Sequence, residues 1–267
     1  MKTSIREKIL SKLNKKRQEI YSFNEIFKIS GSSDKNAIRV IISRIVKEKR
    51  LAPLKHGIYL YVPEGYEKNW TTNNFWIGAN LVEPYAISFW SALNHWGFTE
   101  QLPNKTYIQT TKNLKSRNKV ILNNNYQFVK FTRKRFFGIT KIWVANHQVS
   151  ITDKEKTLVD CLVYPQYSGG IIEVIKGIYQ FYQDKQPENI VFYAQKMGQP
   201  ALKRLGFILE LLGVSNQKEL NKIKKLINNP NYILLEPLIK NKDSIKNSKW
   251  KVKINIARKD LLEWKIT

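Results

Sequence analysis

The chain has one cysteine, Cys161, among 267 residues, which excludes an internal disulfide framework and fits a reducing cytoplasm. It also lacks any apolar stretch approaching the ~20 residues needed to span a bilayer. The opening "MKTSIREKILSKLNKKRQEIY" alternates charge with Ile and Leu and has no apolar centre of the kind a secretion signal carries. A soluble, cytoplasmic protein without membrane contact is expected. Familiar cofactor chemistry is missing as well. There is no phosphate loop and no dinucleotide fingerprint, and His56, His95 and His147 are scattered without a partner at metal-ligand spacing. No cofactor and no metal site are expected.

Acid is scarce too: 46 Lys and Arg stand against 21 Asp and Glu, a formal net charge of +25. That excess goes beyond what solubility requires and points to a polyanionic partner. It amounts to +9 over residues 1–65, +8 over 66–150 and +8 over 151–267. With 42% hydrophobic residues the chain can still bury a core, as one large domain or two smaller ones.

The first 65 residues read as three helices and a hairpin. "SIRE" at 4–7 and "SFNE" at 22–25 are S-x-x-E boxes, in which hydroxyl and carboxylate reciprocally satisfy free N–H groups at a helix start. They mark a helix from Ser4 into "NKKR" and a short one through Phe27. "SGSSD" makes a turn and a third helix start, with Ser33 as the expected cap and Asp34 in the first turn. "LAPLKHGIYLYVP" then reads as a small β-hairpin turning at Lys55, His56 and Gly57. Helix, helix, turn, helix, hairpin is the order of a winged helix-turn-helix.

At 100° per residue, Ile38, Ile41, Ile42 and Ile45 of the third helix share one face. Asn36, Arg39, Ser43 and Lys47 lie opposite, with Val40 and Arg44 beside them. Such a helix enters the major groove, where Arg bonds guanine bidentately, Asn reads adenine and an apolar side chain touches a thymine methyl. The expected DNA-binding set is Ser32, Ser33, Lys35, Asn36, Arg39, Val40, Ser43, Arg44, Lys47, Lys55 and His56. The alternative for any such helix is an ordinary solvated polar face.

Beyond residue 65 the pattern changes. "EKNWTTNNFWIGANLVEPYAISFWSALNHWGF" is aromatic and reads as helical after Pro84, with Ser88 as a cap and Gly97 as a stop. "TYIQTT", "NNYQFVKFTRKRFFG" and "TKIWVANHQVSIT" read as three or more strands, with "LNNN" at 122–125 a turn. "TDKE" at 152–155 opens a helix that Pro165 ends, and helices follow at about 171–183, 187–197, 200–212 and 216–228. "SKWKVKINI" is a strand candidate with Trp250, Val252, Ile254 and Ile256 on one side. The expected fold class is α+β. A winged helix-turn-helix over 1–65 is followed by a larger mixed α/β domain over 66–267, with a small antiparallel sheet and a helical bundle. Residues 66–150 mix helix and strands, and 151–267 are mainly helical with a terminal strand.

A second basic patch, Lys130, Arg133, Lys134 and Arg135, sits among Phe128, Phe131, Phe136 and Phe137. On a continuous strand Phe131, Arg133 and Arg135 would share one face, and Lys130, Lys134 and Phe136 the other. Basic residues interleaved with aromatics grip phosphates and stack on bases; the plainer alternative is a half-buried strand with a solvated face. Catalytic arrangements are poorly represented, and an enzyme is not expected. Asp34 has no second carboxylate to share a metal ion as nucleotidyltransfer requires. The one E-x-K, Glu263 to Lys265, lies at the extreme C-terminus. Cys161 lies on an apolar helix face without an activating base and reads as a buried structural thiol. Asp160 reads as a helix-surface carboxylate or as the partner of a nearby Lys.

The pieces "RIVKEKRLAPLKHGIYL", "PYAISFWSALNHWGF", "VSITDKEKTLVDCLVYPQYSGGIIEV" and "WKVKINI", in this order and spacing, resemble the AbiEi antitoxins, transcriptional regulators of viral defence systems. The resemblance spans nearly the whole chain and is most distinctive at "SITDKEKTLVDCL" followed by "SGG"; the hairpin piece is shared by many winged-helix proteins. It implies a repressor that binds an inverted repeat in its own promoter, as double-stranded DNA, with two copies per operator from monomers or a dimer. It also implies antagonism of a co-encoded nucleotidyltransferase-like toxin, through the C-terminal domain and without a necessary tight complex. The family has no fixed DNA-binding motif, so the residues above rest on helix geometry. The alternative function is an RNA-binding protein or metal-dependent nuclease using the basic aromatic segment at 128–137.

Overall fold

The computed structural model describes residues 4–16, 18–66, 73–184, 187–239 and 244–265. Arg17, the end of "NKKR", and residues 67–72, the start of the aromatic segment, lie outside the described residues. The N-terminal unit has the arrangement of a winged helix-turn-helix. It comprises α1 (Ile5–Lys15), β1 (Ile20–Ser22), α2 (Phe23–Ser30), α3 (Lys35–Lys47), β2 (Leu51–Lys55) and β3 (Ile58–Tyr61). Both expected capping boxes form, Ser4 with Glu7 and Ser22 with Glu25. Ile9, Leu13, Ile26, Ile38, Ile42 and Ile45 close a core between the three helices. The hairpin gains a third strand that the sequence pattern did not show: β1 pairs with β3, giving the order β1-β3-β2. Three residues are too few for alternation to register.

The larger unit follows as α4 (Asn74–Ala79), β4 (Ala86–Ile87), α5 (Phe89–His95), β5 (Thr106–Thr110), β6 (Asn118–Ile121), β7 (Asn124–Lys130), β8 (Ile139–Val144) and β9 (His147–Thr152). Helices α6 (Lys154–Val163), α7 (Ile171–Asp184), α8 (Ile190–Met197), α9 (Gln199–Leu212) and α10 (Gln217–Leu226) come next. Short strands β10 (Ile233–Leu234), β11 (Ile245–Asn247) and β12 (Val252–Ile254) and a last turn of helix, α11 (Arg258–Leu262), end it. Six strands form one sheet in the order β6-β7-β5-β4-β9-β8, in which β4/β9 and β5/β7 are parallel pairs and the others antiparallel. Helix α4 precedes Pro84, whereas the sequence placed helix only after it.

Neighbouring side chains on the central strands enter different cores. Ile108 and Phe128 pack with Ile20, Leu54 and Leu60 of the winged helix, while Tyr107 and Val129 pack with α6 to α9. The sheet therefore lies between the winged helix and the helical bundle. Lys119 on β6 reinforces the first contact by donating its ammonium to the Leu54 carbonyl. In the bundle, the Arg204 guanidinium donates to the carbonyls of Leu162 (2.7 Å), Leu234 (2.7 Å) and Leu235 (3.1 Å), joining α6, α9 and β10.

Two local expectations are corrected. Asp153, not Thr152, caps α6: its carboxylate accepts from the Lys156 N–H, while the Thr152 hydroxyl is taken up by Thr157. Trp250 lies in the turn between β11 and β12 rather than on a strand, and it is fully buried because α9 carries Gly206 beneath it. A Cβ at 206 would stand 2.3 Å from the indole ring. Gly206→Ala should therefore push the indole off α9 and break its bond from Nε1 to Glu210 Oε2 (2.6 Å), costing about 2 kcal/mol or more. A urea midpoint unchanged from wild type would refute this packing.

Candidate nucleic-acid interface

The turn between α2 and α3 is built from side-chain acceptors. Gly31 takes the left-handed conformation (φ 68°) that ends α2, and the Ser30 hydroxyl accepts from the Ser32 N–H. The Ser32 hydroxyl accepts from the Asp34 N–H, and Asp34 Oδ1 accepts from Asn36 (2.8 Å) and Ala37 (3.1 Å). Asp34 is thus the cap that the sequence placed at Ser33. Its carboxylate complements the helix dipole, which a hydroxyl cannot do. Ser33 is left exposed, and Ser32 is half-buried with its hydroxyl engaged in the turn.

This cap sets the rotation of α3. Ile38 and Ile45 have no exposed surface, Ile42 has 2%, and Ile41 is half-buried. Lys35, Asn36, Arg39, Val40, Ser43, Arg44 and Lys47 are all exposed, Val40 to 52%. The Arg39 guanidinium donates to Asn36 Oδ1 (2.8 Å) and lies 5.3 Å from the Phe23 ring centre. It is therefore held over an aromatic face, with no carboxylate partner among the described residues. The Phe23 N–H in turn donates to the Gly57 carbonyl (2.7 Å), which draws the hairpin turn against the start of α2. Lys55 and His56, both exposed, lie in the hairpin turn that this bond ties to the start of α2. Among the described residues, Lys35, Arg39, Arg44, Lys47 and Lys55 make no ion pair.

The second basic patch is not a strand beyond Lys130. β7 can extend no further because its neighbour β5 ends at Thr110, and the last bond there is from the Phe131 N–H to the Thr110 carbonyl. Arg133, Lys134 and Arg135 instead form a 3₁₀ turn, so the expected alternation of faces does not occur. Phe131 is buried, Arg133 and Lys134 are exposed, and Arg135 is half-buried against the start of α9 near Gly198. Lys130 is exposed and donates to Asn113 Oδ1 (3.3 Å).

Asp160 is the partner of Lys156, as one of the sequence alternatives held, and it is not on the helix surface: neither residue has any exposed side chain. The ammonium donates to Oδ1 and lies over the rings of Phe131 and Phe137, while Oδ2 has no hydrogen-bond partner among the described residues. Cys161, beside it, is buried, and burial pushes its thiol well above the usual range. His95 meets Phe75 and Trp96 edge-on, and His147 stacks on Trp76 with ring centres 3.8 Å apart. Glu263 to Lys265 form a 3₁₀ turn whose Lys265 covers Tyr179 on α7. Among the described residues, no group of three or more His, Cys, Asp or Glu could hold a metal ion, and no helix is long and apolar enough to cross a membrane.

No protein-family model and no curated protein matches the chain. Among solved structures it is similar to the RV2827C protein from Mycobacterium tuberculosis, known from a crystal structure. The TM-score is 0.69 over 99% of this chain and 96% of that one, at 12% sequence identity. The likeness shows that the whole architecture, winged helix and larger unit together, is shared.

Burial pushes the Asp160 carboxyl up to about 6, with Lys156 opposing. Between about pH 4 and pH 6 the folded chain keeps a proton there that the unfolded chain releases, so this group's contribution to stability falls as pH rises. Asp160→Asn should flatten that slope in urea midpoints measured across the window. A slope equal to that of wild type would contradict the assignment.

Proposed function

We propose that the protein is a sequence-specific double-stranded DNA-binding repressor. In this reading it autoregulates a toxin-antitoxin operon and acts as antitoxin to a co-encoded nucleotidyltransferase-like toxin, in the manner of the AbiEi antitoxins that its sequence resembles. The observation that carries the DNA reading is the exposed, acid-free face of α3, set beside a basic wing by the bond from Phe23 to Gly57. Asn36, Arg39, Val40 and Ser43 provide the mixture of donors, acceptor and apolar contact that major-groove edges require. Lys35, Arg44, Lys47, Lys55 and His56 lie where phosphates pass, and their contacts supply affinity without sequence information. Two copies on an inverted repeat, as monomers or a dimer, match a reader that contacts one half-site. The proposal includes no catalytic step and no cofactor.

Binding to the operator and to a random duplex separates the two kinds of contact. Arg39→Ala should lose about 1–3 kcal/mol on the operator and relax preference at one position. Lys55→Ala should weaken both duplexes alike and reduce the slope of log affinity against log salt by about 0.9. Equal losses on both duplexes for both variants would contradict the division. The antitoxin role is best examined in the full chain, because removing residues 1–65 would uncover the sheet face that Ile20, Leu54 and Leu60 occupy. Arg39→Ala combined with Arg44→Ala should abolish repression and leave neutralisation of the co-expressed toxin intact; loss of both would place the two activities on one surface.

A further inference from the structure

We propose that α8 and the adjacent 3₁₀ turn form a second nucleic-acid site, a platform for single-stranded RNA on which Phe192 stacks an unpaired base and the surrounding cations hold the strand. The site lies apart from α3 and does not depend on the duplex reading. The segment 128–137 alone would not make such a platform, since Phe128 and Phe131 are buried. What the fold adds is the outer face of α8. Phe192 is 52% exposed, and Gln195 and Lys196 beside it are exposed as well. The Lys196 ammonium lies 3.9 Å from the Phe137 ring centre and 5.4 Å from that of Phe192. The ammonium lies over both rings, which fixes a cation beside the exposed Phe192. Arg135 reaches the C-terminal end of α8, within 3.5 Å of where a Cβ on Gly198 would lie, and Arg133 and Lys134 extend from the same turn into solvent.

Little acid competes for these cations. From Gln101 to Thr152 the sequence holds ten Lys and Arg and no Asp or Glu. Of the acids around α8, Glu188 is exposed one turn before Phe192, whereas Asp153 Oδ2 accepts from the Tyr193 hydroxyl and Glu155 Oε1 accepts from the N–H groups of Asn189 and Ile190. An exposed ring among cations that make no ion pair among the described residues matches a ligand that carries a π-face and a phosphate in every unit. In a duplex the base faces are already stacked on one another, so the ligand is single-stranded. RNA loops and ends are where unpaired bases are common, and they are read by stacking on aromatic side chains.

Fluorescence anisotropy with the full-length chain and a short labelled oligoadenylate tests the assignment. Phe192→Ala should weaken binding about tenfold or more, and Phe192→Tyr should retain it. Lys134→Gln should lower the slope of log affinity against log salt by about 0.7. A strand with the same backbone but no bases should bind the wild-type chain as weakly as oligoadenylate binds Phe192→Ala. Wild-type affinity in Phe192→Ala, or equal binding of the base-free strand, would reduce the site to general charge attraction and overturn the proposal. Tighter binding of the corresponding single-stranded DNA would overturn its assignment to RNA. Operator affinity of Phe192→Ala should equal that of wild type, so failure here and failure of the α3 reading are separate results.

Discussion

The two innermost strands of the central sheet, β4 and β5, have no face left for water, and much of the architecture follows from that. Its middle strands send Ile108 and Phe128 to one side and Tyr107 and Val129 to the other, and both sets are buried. One covering layer is the helical bundle; the other is the winged helix itself, whose strands supply Ile20, Leu54 and Leu60. Burial of this kind stabilises by roughly 25 cal/mol per Å² of apolar surface. It therefore fixes the winged helix as part of the body instead of leaving it on a tether. With one side of its hairpin committed to the sheet, that unit keeps the polar face of α3 open to solvent.

Much of this was legible in the sequence, and the failures have common causes. Helices with long periodic faces, such as α3, α7 and α9, were located within a few residues because many side chains repeat the same signal. Strands of two or three residues, β1, β4, β10 and β11, left no alternation to detect. The cap of α3 moved by one residue, from Ser33 to Asp34, because serine and aspartate side by side offer the same signature until the turn geometry selects one. The strand at 131–137 failed for a tertiary reason: β5 stops at Thr110, and no local preference in "FTRKRFFG" encodes where its neighbour ends.

The candidate interface was legible as a face but not as an arrangement. Helical spacing grouped Asn36, Arg39, Ser43 and Lys47, and their exposure agrees. Nothing in the spacing shows that Arg39 lies on Phe23, or that Phe23 holds the hairpin turn through Gly57. Phe192 and Lys196 were read only as part of a helix, since their meeting with the 133–137 segment crosses more than fifty residues. The charge contrast is equally spatial. Lys156 is sunk beside Asp160, where an isolated ammonium would be costly, while the cations of α3 and of Arg133 and Lys134 remain in solvent without carboxylate partners among the described residues.

The tie from Phe23 to Gly57 has a mechanical consequence. On the proposed DNA-binding reading, a hairpin fastened at its tip to α2 would follow a groove of varying width less readily than a free one, so wing and helix would meet a duplex as one stiff calliper. Conformity then falls to the polymer, and segments that narrow or widen easily would be held more firmly than rigid ones of equal charge.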